Sequence, residues 1–269
     1  MAKSNLSSLQ LRIISALILA PIAVGAVYLG GVWFALFLAI SVAGMSWEWC
    51  KTSFQKNRSS YTLLVSIWLV VALYFAFEGF LEASLLGVVV ASAALMGLTW
   101  FRKEEREWKG GFLGPIYIGI PAICLLELRG NEDIGMFWTL ALFLIVWATD
   151  IGAFFVGRGI GGAKIATSIS PNKTWAGLIG GALCAGFTAI LVNEHLLTLE
   201  VPAHILAISG ALIAVLAQVG DFTESGWKRY FDIKDASNLI PGHGGILDRL
   251  DGVLFAAPAL YFLKNIVGS

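Results

Sequence analysis

The chain has 269 residues, 58% of them hydrophobic and 13% charged, with a formal net charge of zero. A soluble domain carries about 25% charged residues, and a fold of this size cannot hide so much apolar surface, so lipid must be part of its solvent. The neutral balance argues against a nucleic-acid partner. The three cysteines (Cys50, Cys124, Cys184) lack CxxC spacing and read as small hydrophobes rather than as a metal or redox site.

The first apolar run follows Arg12 and passes through Ala23-Val24-Gly25-Ala26, an imitation of a signal peptide. A second long run starts within a few residues and more follow, so the first reads as a retained span. Runs of the roughly 17–25 residues needed to cross a bilayer predict nine helices, over 12–29, 32–50, 61–77, 83–101, 111–128, 134–156, 175–193, 203–221 and 246–265. Helices are required because backbone groups in hydrocarbon must be satisfied internally, and these runs lack the period-2 alternation of a barrel.

The loops test that count. With the N-terminus inside, Arg129 and Lys264 fall outside and the remaining 16 of the 18 basic residues fall inside. This asymmetry predicts a cytoplasmic N-terminus and an external C-terminus. The outer loops are short and carry Glu78, Glu82, Glu132, Asp133, Glu194 and Glu200, whereas two inner loops, about 157–174 and 222–245, are long. Long loops in a compact protein are usually functional. The expected fold class is an all-α polytopic membrane protein. Residues 1–110 are expected to form a scaffold of four helices and 111–269 a catalytic region, within one membrane domain. Glu48, in Trp47-Glu48-Trp49, lies near the inner interface among aromatic anchors and receives no role.

Acidic groups at membrane depth are costly and are functional candidates by default. Asp150 lies inside the sixth run, Asp221 ends the eighth after Gln218 and Gly220, and Asp248 and Asp251 open the ninth. The last two stand at i and i+3 on one helix face. A helix N-terminus favours one such carboxylate through its dipole, but the set of Asp221, Asp248 and Asp251 calls for a cation. Hard oxygen ligands suit Mg²⁺, above all where phosphates complete the shell. Asp150 reads either as a satisfied structural acid or as a substrate contact.

Basic groups are expected at the same face. Ser170-Pro171-Asn172-Lys173-Thr174-Trp175 is expected to open the seventh helix, where a lysine and free backbone amides make an anion site. Lys228, Arg229 and Lys234 add positive charge. His243-Gly244-Gly245 follows Pro241-Gly242, a turn in which backbone can approach a ligand closely. His195 and His204 read as ordinary outer-loop residues. Gly157-Arg158-Gly159-Ile160-Gly161-Gly162 matches GxGxxG letter for letter, but it follows a membrane helix rather than a strand, so it reads as a flexible loop and not as a dinucleotide site. Carboxylates for a metal, cations for phosphates and a place at the inner boundary fit phosphoryl or nucleotidyl transfer between a lipid and a soluble phosphate compound.

The run from Ser225-Gly226-Trp227-Lys228-Arg229 through Lys234-Asp235-Ala236-Ser237 to Ile240-Pro241-Gly242-His243-Gly244-Gly245-Ile246-Leu247-Asp248-Arg249-Leu250-Asp251 closely resembles the signature of the phosphatidate cytidylyltransferases, or CDP-diacylglycerol synthases. The Ser170-to-Gly177 segment resembles a second stretch of that family. Three positions depart from it: Trp227 stands where a smaller aliphatic or Phe is usual, and Asn172 and Ala176 replace a usual lysine and glutamate. The resemblance implies transfer of CMP from CTP to phosphatidic acid, giving CDP-diacylglycerol and pyrophosphate, by a multi-pass homodimer of the inner membrane whose site faces the cytoplasm. On that reading Asp221 and Asp248 hold Mg²⁺, and a second cation such as K⁺ sits on Asp251. Lys173, Lys228, Arg229, Lys234, Arg249, Ser170, Thr174 and Asp150 contact substrate, and His243, Gly244 and Gly245 line the nucleotide pocket. A CDP-alcohol phosphatidyltransferase would carry Asp-Gly-x-x-Ala-Arg, and after Asp251-Gly252 this chain has Val253-Leu254-Phe255-Ala256 instead. An ion-coupled transporter would be expected to show an internal repeat, and the sequence has none.

Overall fold

The computed structural model describes residues 8–102, 106–130, 133–240, 242 and 244–267. Among these residues nine α-helices are present: α1 (Ser8–Leu29), α2 (Gly31–Ser53), α3 (Arg58–Phe77), α4 (Leu81–Phe101), α5 (Glu107–Arg129), α6 (Asp133–Ile160), α7 (Trp175–Val192), α8 (Ala203–Tyr230) and α9 (Leu247–Val267). A short hairpin of β1 (Lys164–Ala166) and β2 (Ser170–Thr174) separates α6 from α7, and a π-helical turn, Asn193–Leu197, extends α7. Among the described residues seven helices, α2 through α8, are long and apolar enough to cross a membrane. The apolar part of α1 is shorter (Leu17–Leu29), and α9 is interrupted by Asp248, Arg249, Asp251 and Lys264.

The surface follows from lipid as solvent. Large apolar side chains face outward, among them Ile40 at 72%, Leu183 at 70% and Phe187 at 62% exposure. Small polar residues are instead buried and bonded to backbone: Ser84 Oγ donates to the Ala72 carbonyl at 2.7 Å, and Thr99 Oγ1 to that of Leu95 at 2.9 Å. This inverts the usual soluble pattern and makes the protein an all-α polytopic membrane protein, with the two-stranded hairpin as the one regular β element among the described residues.

Two compact units divide the chain, Met1–Gly119 with Phe231–Leu250, and Ile120–Tyr230 with Asp251–Ser269. In the first, α2 packs on α3 and α3 on α4. The start of α5 enters among them because it lacks side chains where contact is closest. A Cβ on Gly111 would lie 3.2 Å from the Leu95 carbonyl, and one on Gly119 would lie 2.8 Å from Leu69. Trp49 Nε1 donates to the Gly110 carbonyl at 2.8 Å, and its ring meets that of Tyr117.

In the second unit α6, α7 and α8 pack in sequence, again through small residues. A Cβ on Gly181 would stand 2.8 Å from the Thr149 carbonyl oxygen, and one on Gly210 would stand 2.6 Å from that of Ala185. Lipid tails supply little drive for helices to associate, so close backbone approach and dispersion must hold them together.

Three segments differ from the sequence expectation. Ser170–Thr174 is strand β2 rather than the opening turn of a helix: Pro171 lacks an N–H and tolerates a strand edge. Thr174 is the N-cap, its hydroxyl accepting from Gly177 N at 3.1 Å. The stretch read as a flexible loop from 157 starts inside α6, which runs to Ile160, and Gly161 and Gly162 then turn the chain at φ +67° and +88°. Helix α8 does not stop at Asp221 but continues to Tyr230, so the second inner loop is shorter than expected. A fall in hydropathy marks where the membrane ends, and a helix can continue past that line into water.

Gly210→Leu is expected to lower the thermal unfolding midpoint in detergent, with an overpacking cost of about 1–3 kcal/mol or more. Gly97→Leu, whose Cβ meets nothing within 4 Å, should melt close to the parent. Equal midpoints for the two variants would contradict the packing described for α7 and α8.

Candidate active site

The expected site residues fall into two groups, one in each unit. In the C-terminal unit the hairpin delivers Lys173 from β2, and its ammonium pairs with the Asp221 carboxylate of α8. The same ammonium lies 4.4 Å from the centre of the Phe222 ring, a position that strengthens a cation's hold where water is scarce. Ser225 Oγ, one turn further along α8, donates to the other Asp221 oxygen at 3.3 Å. Lys173 sits on a strand, so it brings its ammonium and not the amides of a helix start.

One turn beyond Asp221, α8 buries an ion pair. Lys228 Nζ lies 2.9 Å from Glu224 Oε2, with side-chain exposures of 11% and 2%. The backbones of α8 and α9 touch where Gly220 meets the Asp251 carbonyl, a contact that any side chain at 220 would prevent. Asp251 Oδ1 accepts from Gly252 N at 2.8 Å. The carboxylates of Asp221, Glu224 and Asp150 all act electrostatically on Asp251. Four carboxylates and two paired lysines thus gather where α6, β2, α8 and α9 meet. Asp150 is exposed on α6 and Ser170 is half-buried on β2. The Thr174 hydroxyl is buried and caps α7. Arg229 is exposed in the last turn of α8, and Trp227, the departure from the family pattern, is buried at 8% exposure.

In the N-terminal unit the stretch after α8 folds back on itself. Ile240 and Gly244 exchange backbone hydrogen bonds of 2.8 and 3.1 Å, and the turn between them is made by Gly242 at φ +78°, with Gly244 at +88°. His243 and Pro241 lie outside the described residues. Gly245 N donates to Asp248 Oδ2 at 2.8 Å, so Asp248 holds the turn that precedes its own helix. A Cβ on Gly244 would sit 2.9 Å from that same oxygen. Lys234 and Arg249 are exposed.

Two residues of this region are inconspicuous in the sequence. Glu224 hides inside Thr223-Glu224-Ser225, where the end of the apolar run suggests solvent. Its i,i+4 spacing to Lys228 was the available signal. Glu48, assigned no role, is fully buried and accepts hydrogen bonds from Ser237 Oγ and from the amides of Ile246 and Leu247. Only its cost at membrane depth singled it out.

Among the described residues no group of three or more His, Cys, Asp or Glu side chains forms a ready-made metal cage. Mg²⁺ commonly takes only one or two carboxylates and completes its shell with phosphates and water. The acid-rich surroundings of Asp221 and Asp251 have the hard oxygen donors it prefers, so the residues present fit such an ion.

Lys228→Met should destabilise the protein by about 3–5 kcal/mol, because it removes the cation from a buried pair. Lys228→Met combined with Glu224→Gln should recover part of that loss in thermal unfolding. A single variant that melts like the parent would show that the pair carries no net stabilisation.

Comparison with known proteins places the chain in a family. Residues 10–267 match the cytidylyltransferase family. A phosphatidate cytidylyltransferase of Brucella suis biovar 1 is 40% identical over 264 residues, covering 97% of this chain and 95% of that protein. One from Pseudomonas aeruginosa is 37% identical over 268 residues, covering 97% and 98%. One from Bacillus subtilis is 40% identical over 151 residues, covering 56% of each. The chain belongs to the cytidylyltransferase family.

Proposed function

We propose that this protein is a phosphatidate cytidylyltransferase, transferring CMP from CTP to phosphatidic acid to give CDP-diacylglycerol and pyrophosphate. The observation that carries the reading is the meeting of Lys173 with Asp221 beside Asp251, Glu224 and Asp150, at the start of the signature stretch. Family membership over nearly the whole chain supports it. An oxygen of the phosphatidate phosphate forms the new bond to the α-phosphorus of CTP. The bond from that phosphorus to the bridging oxygen breaks in line, and pyrophosphate leaves with the electron pair. The attacking oxygen is already anionic at neutral pH, so the chain need supply no strong general base. Its task is to position two anions and to lower their repulsion.

Asp221, Asp248 and Asp251 are the proposed ligands of Mg²⁺, with a second cation such as K⁺ on Asp251. Mg²⁺, when bound, would offset the triphosphate charge and the charge that builds on the departing pyrophosphate. Lys173, Lys228 and Arg229 orient phosphates. Lys234, Arg249, Ser170, Thr174 and Asp150 complete the substrate contacts, and His243, Gly244 and Gly245 line the nucleotide. The uneven distribution of basic residues between the two faces supports nine spans in an inner cell membrane, with the N-terminus and the reacting groups on the cytoplasmic side and the C-terminus outside. The family resemblance also supports a homodimer.

Purified protein supplied with CTP, phosphatidate and Mg²⁺ is expected to form a liponucleotide only when phosphatidate is present. Asp248→Asn should lower that rate by about 100-fold or more and alter its Mg²⁺ dependence. Near-parental turnover with unchanged Mg²⁺ dependence would remove Asp248 from the metal site.

A further inference from the structure

Helix α9 has an N-terminus that its own sequence only partly caps. The amides at the start of a helix need acceptors, and here three consecutive ones leading into α9, of Gly245, Ile246 and Leu247, all donate to carboxylates. Gly245 N bonds Asp248 Oδ2 at 2.8 Å, from within α9. The other two are met from far away in the chain: Ile246 N donates to Glu48 Oε1 at 2.9 Å and Leu247 N to Glu48 Oε2 at 2.8 Å. Glu48 Oε1 also accepts from Ser237 Oγ at 2.5 Å, and Ser237 Oγ in turn accepts from Leu239 N at 3.1 Å. One carboxylate of α2 therefore ties both ends of the Ser237–Leu247 turn.

The surrounding contacts are built for this side chain. Glu48 has 0% exposure and Ser237 3%. Gly245 has no room for a side chain, since a Cβ there would lie 2.6 Å from Glu48 Oε1. One turn back along α2, a Cβ on Gly44 would lie 2.5 Å from Ile246 Cδ1, so the face of α2 bearing residues 44 and 48 is fitted to the start of α9. A carboxylate at a helix N-terminus gains from the dipole, and a buried charge with three donors is held where an unbonded one would be expelled.

We propose that Glu48 is a positioning residue for the transfer reaction: it fixes the turn before α9 and through it the carboxylate of Asp248. Asp248 reaches the Gly245 amide only while that amide points into the turn, and the turn keeps its shape through the two neighbouring amides that Glu48 holds. The inference rests on the reading that Asp248 serves the reaction. It assigns to the N-terminal helices a part in chemistry beyond scaffolding, since one of them bears the residue that shapes the signature.

The test uses the full-length protein in detergent or nanodiscs and compares Glu48→Gln, Ser237→Ala and Asp248→Asn with the parent. Glutamine keeps the size of glutamate but turns an N–H₂ toward a donor. Glu48→Gln is expected to lower kcat about 10–100-fold, the usual cost of losing a group that orients a functional side chain. It should also raise the Mg²⁺ needed for half-maximal rate and leave the KM for phosphatidate unchanged. Amide hydrogen exchange, read without substrate or metal, should speed up in the peptide covering 238–250 and stay parental in α3 and α4. Ser237→Ala should move each readout in the same direction and less far, and it decides the matter if the Glu48 variant fails to fold. Glu48→Gln with parental exchange in 238–250, or with kcat and Mg²⁺ dependence within about twofold of the parent, would overturn the inference. If Asp248→Asn is itself unimpaired, the reading of Asp248 fails instead, and with it this role for Glu48.

Discussion

A carboxylate at the edge of a hydrocarbon slab is tolerated only where cations or donors meet it, because water is too scarce to do so. The polar residues of this protein are arranged around that constraint. Asp221 is met by the Lys173 ammonium and the Ser225 hydroxyl, Glu224 by Lys228, Asp248 by the Gly245 amide, and Glu48 by Ser237 and two amides of the turn before α9. Each solution joins elements that hydropathy alone would leave independent: a strand to a helix, one helical turn to the next, α2 to the loop after α8.

The packing makes those meetings possible. Helices in lipid approach closely only where side chains are small, and glycine stands at the contacts that matter for the polar groups. Gly220 lets α8 touch the backbone of α9 at Asp251, and Gly245 leaves space for the Glu48 carboxylate. The first contact gathers the acids of the C-terminal unit, and the second anchors the signature turn in the N-terminal unit. A side chain at either glycine would displace the polar groups through geometry, without removing a charged group.

The helical frame was legible in the chain because hydropathy reports membrane thickness directly. Each predicted run finds a helix among the described residues, with limits within a few residues at most ends, and seven of these helices, α2 through α8, are long and apolar enough to cross a membrane. The exceptions share one cause. Hydropathy falls where polar residues begin, whether or not the helix ends, so the polar extensions of α6 to Ile160 and α8 to Tyr230 were hidden, as was the hairpin bearing Lys173. Of the candidate site, the aspartates and Lys173 stand out in the sequence as charges in apolar context. Glu48 could not, since its partners are backbone amides almost 200 positions away in the chain, and amides have no sequence signature. Trp227 is buried on α8, and nothing in the structure explains why tryptophan stands where the family has a smaller residue.

The central claim is that the reaction takes place at the α-phosphorus of CTP. It is tested most directly by supplying the purified protein with phosphatidate, Mg²⁺ and CTP labelled at either the α- or the γ-phosphate. The account predicts that α-label enters the lipid fraction while γ-label is released as pyrophosphate. Gamma-label in lipid would indicate phosphoryl rather than nucleotidyl transfer, and an unlabelled lipid fraction in both arms would contradict the proposed activity altogether.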